Sequence, residues 1–267
     1  MPKAANGRSD DPVRQLPILP SNVPEHALDA QITPERAERY RQVLLRRTGR
    51  IAVVIEDCHD PHNATAVTRT CDAFGINRIH VIVGETPYRV NRRVSGGSHH
   101  HVDIRTHAHI EEAYAELRRD GFAIAVSGLS EDALVGPQQL LPELEKRPLA
   151  LVFGNEHTGA SEFADSQADM RFLIPMVGFA QSLNVSVSVA ITLYTLRQQA
   201  LTHADPGDLS DREQRRLYDQ WVRSFRGEAG EKYLRRIGRG NEPLDVYTPE
   251  SSEKRHVKAS TPDRRLL

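Results

Sequence analysis

Ile174-Pro175-Met176-Val177-Gly178-Phe179-Ala180-Gln181-Ser182-Leu183-Asn184-Val185-Ser186-Val187 sets small polar side chains inside an apolar segment, directly behind a Pro/Gly turn. Ser, Asn and Gly there compete with regular structure and favour a helix start, where unpaired backbone N–H groups face whatever occupies the turn. A core packed for stability alone would place Leu or Ala at Ser182 and Asn184. The plainer alternative makes Ser182 an N-cap and nothing more. Two other segments weigh against stopping there.

Ile51-Ala52-Val53-Val54-Ile55 reads as a buried strand and leads into Asp57-Cys58-His59-Asp60-Pro61-His62-Asn63, with Arg69 six residues beyond Asn63. Pro61 starts a helix that Gly75 closes, with Ala66, Val67, Thr70, Ala73 and Phe74 as its apolar stripe. Asn63 and Arg69 are both reached from the strand's end only where that helix begins beside a shared cleft. Taken alone, Arg69 also reads as a solvated charge. In the second segment, the strand Leu149–Phe153 runs into Gly154-Asn155-Glu156-His157-Thr158-Gly159-Ala160-Ser161. The glycines have Walker A spacing, but Ala160-Ser161 stands where Lys-Ser/Thr is required, so a triphosphate loop is rejected. No G-x-G-x-x-G follows a strand, so a dinucleotide site is unsupported. What remains is a loop whose glycines admit a ligand to the backbone, with Glu156 at its middle.

Together these segments resemble the SpoU/TrmH-type RNA ribose 2'-O-methyltransferases of the SPOUT class, from about Ile51 to Arg197 and in matching order. Asp60-Pro61-His62-Asn63, Arg69-Thr70-Cys71-Asp72-Ala73 and Ser95-Gly96-Gly97-Ser98-His99 look most like the branch that methylates the D-loop guanosine of tRNA. Ribosomal RNA, or a non-catalytic RNA- or cofactor-binding role, are the alternatives. The resemblance implies an α/β fold: a parallel sheet with a deep C-terminal trefoil knot, flanked by N- and C-terminal helical extensions. It also implies a cytoplasmic homodimer packed knot against knot, acting on RNA rather than DNA. S-adenosylmethionine is the implied cofactor, held by Ser127, Gly154, Asn155, Ile174, Met176 and Leu183. The implied catalytic set is Arg69, Asn63, Glu156, Ser182 and Asn184, with Arg69 acting as base or as electrostatic clamp. Three departures from the branch remove cations: Asp60, His100-His101 and Gln199.

At 267 residues, with 39% hydrophobic and 27% charged side chains, the chain is ordinary for a globular protein. Cys58 and Cys71 form no C-x-x-C pair, so neither a disulfide nor a zinc site is suggested. No stretch approaches a membrane span, and no signal-peptide core opens the chain. The net charge of −1 is low for an RNA binder, so distribution matters more than the total. Arginines crowd Pro34 to Arg50 and recur from Arg212 to Arg239, where Trp221, Phe225 and Tyr233 interleave with them. Arg41, Arg46, Arg197, Arg215 and Arg223 are the candidate RNA contacts. The alternative is two solvated amphipathic helices.

Residues 1–33 read as a flexible arm, 34–203 as the methyltransferase domain led by a basic helix over Pro34 to Arg50, and 204–267 as a helical extension that binds RNA and frays beyond Arg239. Strands are expected at Ile51–Glu56, Arg78–Val83, Phe122–Ser127, Leu149–Phe153 and Arg171–Ile174, alternating with helices as in a parallel α/β sheet. One segment sets pattern against resemblance. Leu183, Val185, Val187, Val189, Ile191 and Leu193 alternate like a strand, whereas the resemblance implies a helix closely packed through Ser186, Ser188 and Ala190. His99-His100-His101 cannot all face one ion on regular backbone, so no metal is expected.

Overall fold

A computed structural model describes residues 18–21, 23, 25–56, 61–83, 98–155, 158–202 and 207–239. Seven strands form one all-parallel sheet: β1 (Thr48–Glu56), β2 (Ile76–Ile82), β3 (Asp103–His107), β4 (Ala123–Ser127), β5 (Leu134–Val135), β6 (Leu149–Phe153) and β7 (Met170–Leu173). Their order is β3-β2-β1-β6-β4-β7-β5. The five expected strands are all present, Leu149–Phe153 to the residue. β3 and β5 were not foreseen. Asp103-Ile104-Arg105-Thr106-His107 is too polar to read as a strand, and it lies at the sheet edge with Arg105 salt-bridged to Asp103 and Glu116.

At the centre, β1 and β6 pair from Ile51↔Leu149 to Ile55↔Phe153, and alternation sends successive side chains to opposite faces. Ile51, Val53, Leu149 and Leu151 pack with α2 (Pro61–Ala73) and α6 (Val185–Thr202) on one side. Ala52, Val54, Ala150 and Val152 pack with α3 (Ile110–Arg119) on the other. Two short helices, α4 (Leu141–Lys146) and α5 (Glu162–Ser166), complete the crossovers.

Helix α2 begins at Pro61, and Gly75 beyond its end takes φ 73°, as expected. Its buried face is different. Ala64, Thr65, Val67, Thr68 and Cys71 are buried, whereas Ala66 is half-buried and Ala73 exposed. The expected stripe is therefore rotated. Threonine is polar in composition but goes inside here, because Thr68 Oγ1 donates to Ala64 O at 2.9 Å within the helix.

The basic helix is shorter than expected: α1 spans Pro34–Leu44, capped by the Thr33 hydroxyl, and Thr48–Arg50 belong to β1. Between them Arg47 is wholly buried. It donates to Ile76 O at 2.8 Å, pairs with Asp72 and lies over the Trp221 ring. These tertiary partners turn the chain out of the helix.

The flexible arm also needs correction, since Ala27–Gln31 form a 3-10 turn with Leu28 wholly buried. His26 accepts from Leu28 N at 3.1 Å and meets Asp219 at 2.9 Å, while Tyr218 Oη donates to Asp29 at 2.5 Å. Asp219 and Tyr218 belong to α7 (Asp211–Arg236), whose Leu217, Trp221 and Val222 share a third core with Leu28 and Leu44. The two ends of the described chain are thus one packed unit. Residues 1–17 and 240–267, expected to be flexible or frayed, lie outside the described residues, as do Cys58 and Asp60.

Candidate active site

The C-terminal ends of β4, β6 and β7 and the start of α6 enclose a cleft of about 440 Å³. Ser127, Gly154, Asn155, Ile174, Met176 and Leu183 all line it, so the structure brings together three loops spread over residues 127–183. Ser182 lines it too, and so do Phe153, Thr158 and Gln181, none of which stands out from sequence alone. Gln181 was legible as the neighbour of Ser182; Phe153 read only as strand.

Gly154 and Gly159 serve each other rather than a phosphate. Asn155 and Gly159 exchange both backbone hydrogen bonds at 3.1 Å, closing a tight loop. A Cβ on Gly154 would lie 2.0 Å from Gly159 C, so only glycine fits the crossing. Asn155 Oδ1 accepts from Thr158 N at 2.7 Å and from its hydroxyl at 3.0 Å. Glu56, at the end of β1, accepts from Ser161 N at 2.8 Å and ties the loop to the sheet. Glu156 and His157, at the middle of this loop, lie outside the described residues.

The helix expected from the resemblance is present as α6, and the strand-like alternation misleads. Val185, Val189, Thr192, Leu193 and Leu196 face inward at helical spacing, while Val187, Ile191 and Tyr194 stay exposed. A helix apolar on two sides mimics the period of a strand. Its N-cap is Asn184, not Ser182: Asn184 Oδ1 accepts from Ser186 N at 2.9 Å, and Ser182 is exposed in the loop. Asn184 Nδ2 also donates to Asn63 Oδ1 at 3.0 Å. That bond joins the cleft to the first turn of α2. Six positions on, roughly 9 Å along the axis, Arg69 is exposed, and among the described residues its guanidinium has no hydrogen-bond or ion-pair partner.

Most of the arginines chosen as RNA contacts are otherwise engaged. Arg41 pairs with Asp29 at 2.5 Å and lies over the Tyr218 ring. Arg46 donates to Gln42 O at 2.8 Å, and burial lowers its pKa. Arg197 is buried and donates to Phe74 O at 3.2 Å and Arg46 O at 2.9 Å, closing the ends of two helices. Arg223 bridges Asp219 and Glu231 at 2.8 and 2.9 Å. Charge counting cannot separate such structural arginines from solvated ones. Arg215 is exposed, with one nitrogen on Asp211 O. The side chain of Gln199 lies outside the described residues, as does that of His99.

Residues 50–194 match the model of the SpoU rRNA Methylase family. The tRNA (guanosine(18)-2'-O)-methyltransferase of Thermus thermophilus is 38% identical over 170 residues, 63% of this chain and 85% of that protein. The Escherichia coli protein of the same name is 35% identical over 169 residues, 63% of this chain and 72% of its own length. Among solved structures, the TrmH/SpoU tRNA modifying enzyme of A. aeolicus superposes with a TM-score of 0.63 at 30% identity, covering 72% of this chain and 96% of that one.

Proposed function

This chain belongs to the SpoU rRNA methylase family, and from that premise we propose that it methylates a ribose 2'-hydroxyl of tRNA at the D-loop guanosine 18, with S-adenosylmethionine as methyl donor. The names of relatives at 38% and 35% identity support the substrate. The observation that carries the reading is the joining of cleft and α2 through Asn184 and Asn63.

The cofactor fits the cleft. Its volume of about 440 Å³ suits small-molecule sites, which run roughly 300–1,000 Å³. Apolar Leu173, Ile174 and Leu183 line it beside the main chain of the Gly154 crossing. Backbone groups of Ile174, Met176 and Leu183 hold the adenine in this reading, and Ser127, Gly154 and Asn155 its other edge. When bound, the cofactor supplies an electrophilic sulfonium methyl. A ribose hydroxyl is a weak nucleophile at neutral pH and must lose its proton as the oxygen–methyl bond forms and the sulfur–methyl bond breaks. The protein's task is therefore to stabilise the developing alkoxide while the proton passes to solvent or an RNA phosphate. Arg69 suits this: its exposed guanidinium offers a fixed fork of N–H donors and no acceptor, so in this proposal it acts as a clamp on phosphate and oxygen rather than as a base. Asn184 positions Asn63 at the start of the same helix and Ser182 lines the cleft, and we keep Glu156, the acid of the Gly154–Gly159 loop, in the proposed catalytic set.

The wider assembly belongs to the same proposal. β7 lies between β4 and β5 although β6 intervenes in sequence, which supports a deep trefoil knot in the segment leading to α6. Val187, Ile191 and Tyr194, exposed along α6, support a homodimer seam. Among the described residues no helix is long and apolar enough to cross a membrane, and the enzyme works on RNA, not DNA, in the cytoplasm. We place the methyltransferase domain at 34–203 and an RNA-binding extension, including Arg215, after it.

The test is transfer of labelled methyl from S-adenosylmethionine to unmodified tRNA, mapped as a nuclease-resistant dinucleotide, beside Arg69→Ala. Label at guanosine 18 that vanishes in the variant is the expected result. Retained cofactor binding with no label in tRNA overturns the substrate and directs the search to ribosomal RNA.

A further inference from the structure

Phe225 on α7 is 47% exposed, and the guanidinium carbon of Arg36 on α1 lies 3.8 Å from its ring centroid. The neighbouring Ser224 hydroxyl meets His100 Nδ1 at 3.0 Å. His100 ends the 3-10 turn Ser98–His100, which packs against α2, the helix of Asn63 and Arg69. His101 follows, its ring edge-on to those of Tyr40 and Trp221 at 5.8 and 5.2 Å. One turn therefore connects an open aromatic ring on the terminal helices to the helix of the candidate site.

Along α7 exposed arginine outweighs unpaired acid. On α7, Asp219 and Glu231 are taken by Arg223, Glu228 by Lys232, and Glu213 by the Ser210 cap. Asp211 stays exposed at the N-terminal end of α7, Arg212, Arg235 and Arg236 are exposed along its length, and Arg36 from α1 lies at the ring itself. A protein-binding patch would be depleted of charge at its centre. Unpaired nucleobases, in contrast, stack on aromatic rings and guanidinium planes while arginines meet the phosphates.

We propose that Phe225, with Arg36 over it, is a stacking platform for an unpaired nucleobase of the substrate RNA, anchoring the RNA so that the target ribose reaches Arg69. The inference rests on the reading of RNA as substrate. Both residues lie outside the family match of 50–194.

The test uses the full chain and unmodified tRNA, comparing Phe225→Ala, Phe225→Leu, Phe225→Trp and Arg36→Ala. Phe225→Ala and Phe225→Leu are expected to raise KM for tRNA about tenfold, with Phe225→Trp close to wild type and cofactor affinity unchanged in all. Arg36→Ala should reduce the slope of log binding constant against log salt by about one. A KM within twofold of wild type for Phe225→Ala overturns the proposal. So does rescue by Leu equal to that by Trp, which assigns Phe225 to packing, or a change of assembly mass in Phe225→Ala, which assigns it to a protein interface. If the wild type transfers methyl to no RNA yet binds RNA through Phe225, the methylation reading fails and the platform stands.

Discussion

The amide of Asn184 donates to Asn63 Oδ1 at 3.0 Å while its oxygen caps α6 through Ser186 N at 2.9 Å. One side chain therefore fixes the start of the helix behind the cleft and holds the first turn of the helix that carries Arg69. The two duties separate by substitution. Asn184→Ser keeps a cap acceptor but cannot reach Asn63, whereas Asn184→Ala loses both. Asn184→Ala should cost about 1 kcal/mol of stability and Asn184→Ser far less, measured by urea unfolding. Both should lower kcat for methyl transfer at least tenfold. A Ser variant with full kcat would separate the Asn63 contact from turnover.

The Gly154 crossing predicts a contrast between two glycines. A Cβ at Gly154 meets the backbone of Gly159 and Ala160 at 2.0 to 2.1 Å, so the loop must open. Gly159 has φ 73° but nothing within 4 Å of its Cβ. Gly154→Ala should weaken S-adenosylmethionine binding by an order of magnitude or more in calorimetry. Gly159→Ala should mainly cost about 1 kcal/mol of backbone strain. Equal effects on affinity would mean that the loop's crossing does not shape the cleft.

Buried Arg47 makes a stability prediction independent of chemistry. Its pair with Asp72 and its bond to Ile76 O sit beneath Trp221, with the guanidinium wholly buried. Arg47→Ala empties the space beneath Trp221 and leaves Ile76 O without this donor, while the partly exposed Asp72 can still reach solvent, so it should cost about 2–5 kcal/mol, chiefly from the lost packing. Arg47→Met, which keeps the volume, should cost less, and less again when Asp72→Asn is added. Thermal unfolding of the single and double variants measures that coupling.

These residues show what was legible in the sequence and what was not. The central strands were readable because β-branched runs bounded by turn residues have few other uses. The cleft was readable because three short polar-in-apolar segments matched a known family in order. Arg47, Arg41 and Arg197 were not, since an arginine's sequence signal is the same whether it meets solvent or a buried carboxylate. The 3-10 turn at Ala27–Gln31 was missed because its capping residues His26 and Asp29 are held by Asp219 and Tyr218 of α7, nearly two hundred residues away. Periodicity failed at α6 because both its buried and its exposed sides are apolar.

The last prediction concerns acid. His80 on β2 and His107 on β3 meet nitrogen to nitrogen at 2.8 Å beneath α3, and both rings are held below the ordinary imidazole range. For His80, burial is the largest cause, followed by repulsion from His107, Arg105 and Arg78, which together lower its pKa from 6.5 to about 2. For His107, burial again dominates, opposed by Glu116 and Glu112 and reinforced by Arg105. A histidine with a depressed folded pKa stays neutral in the native protein while the unfolded chain takes up its proton. Its contribution is thus intact above pH 6.5 and lost as pH falls from 6.5 toward the folded value, the unfolded state binding more protons throughout that window. Well inside it, His80 alone imposes a slope of up to about 1.4 kcal/mol per pH unit. Stability measured by urea unfolding should therefore fall between pH 6.5 and 5, above the range where most carboxylates titrate. His80→Gln, which cannot be protonated, should be less stable at pH 7.5 but should lose less on acidification over that interval. Parallel pH profiles for the two proteins would show that His80 is protonated in the native state and that the pair beneath α3 is not the source of acid sensitivity.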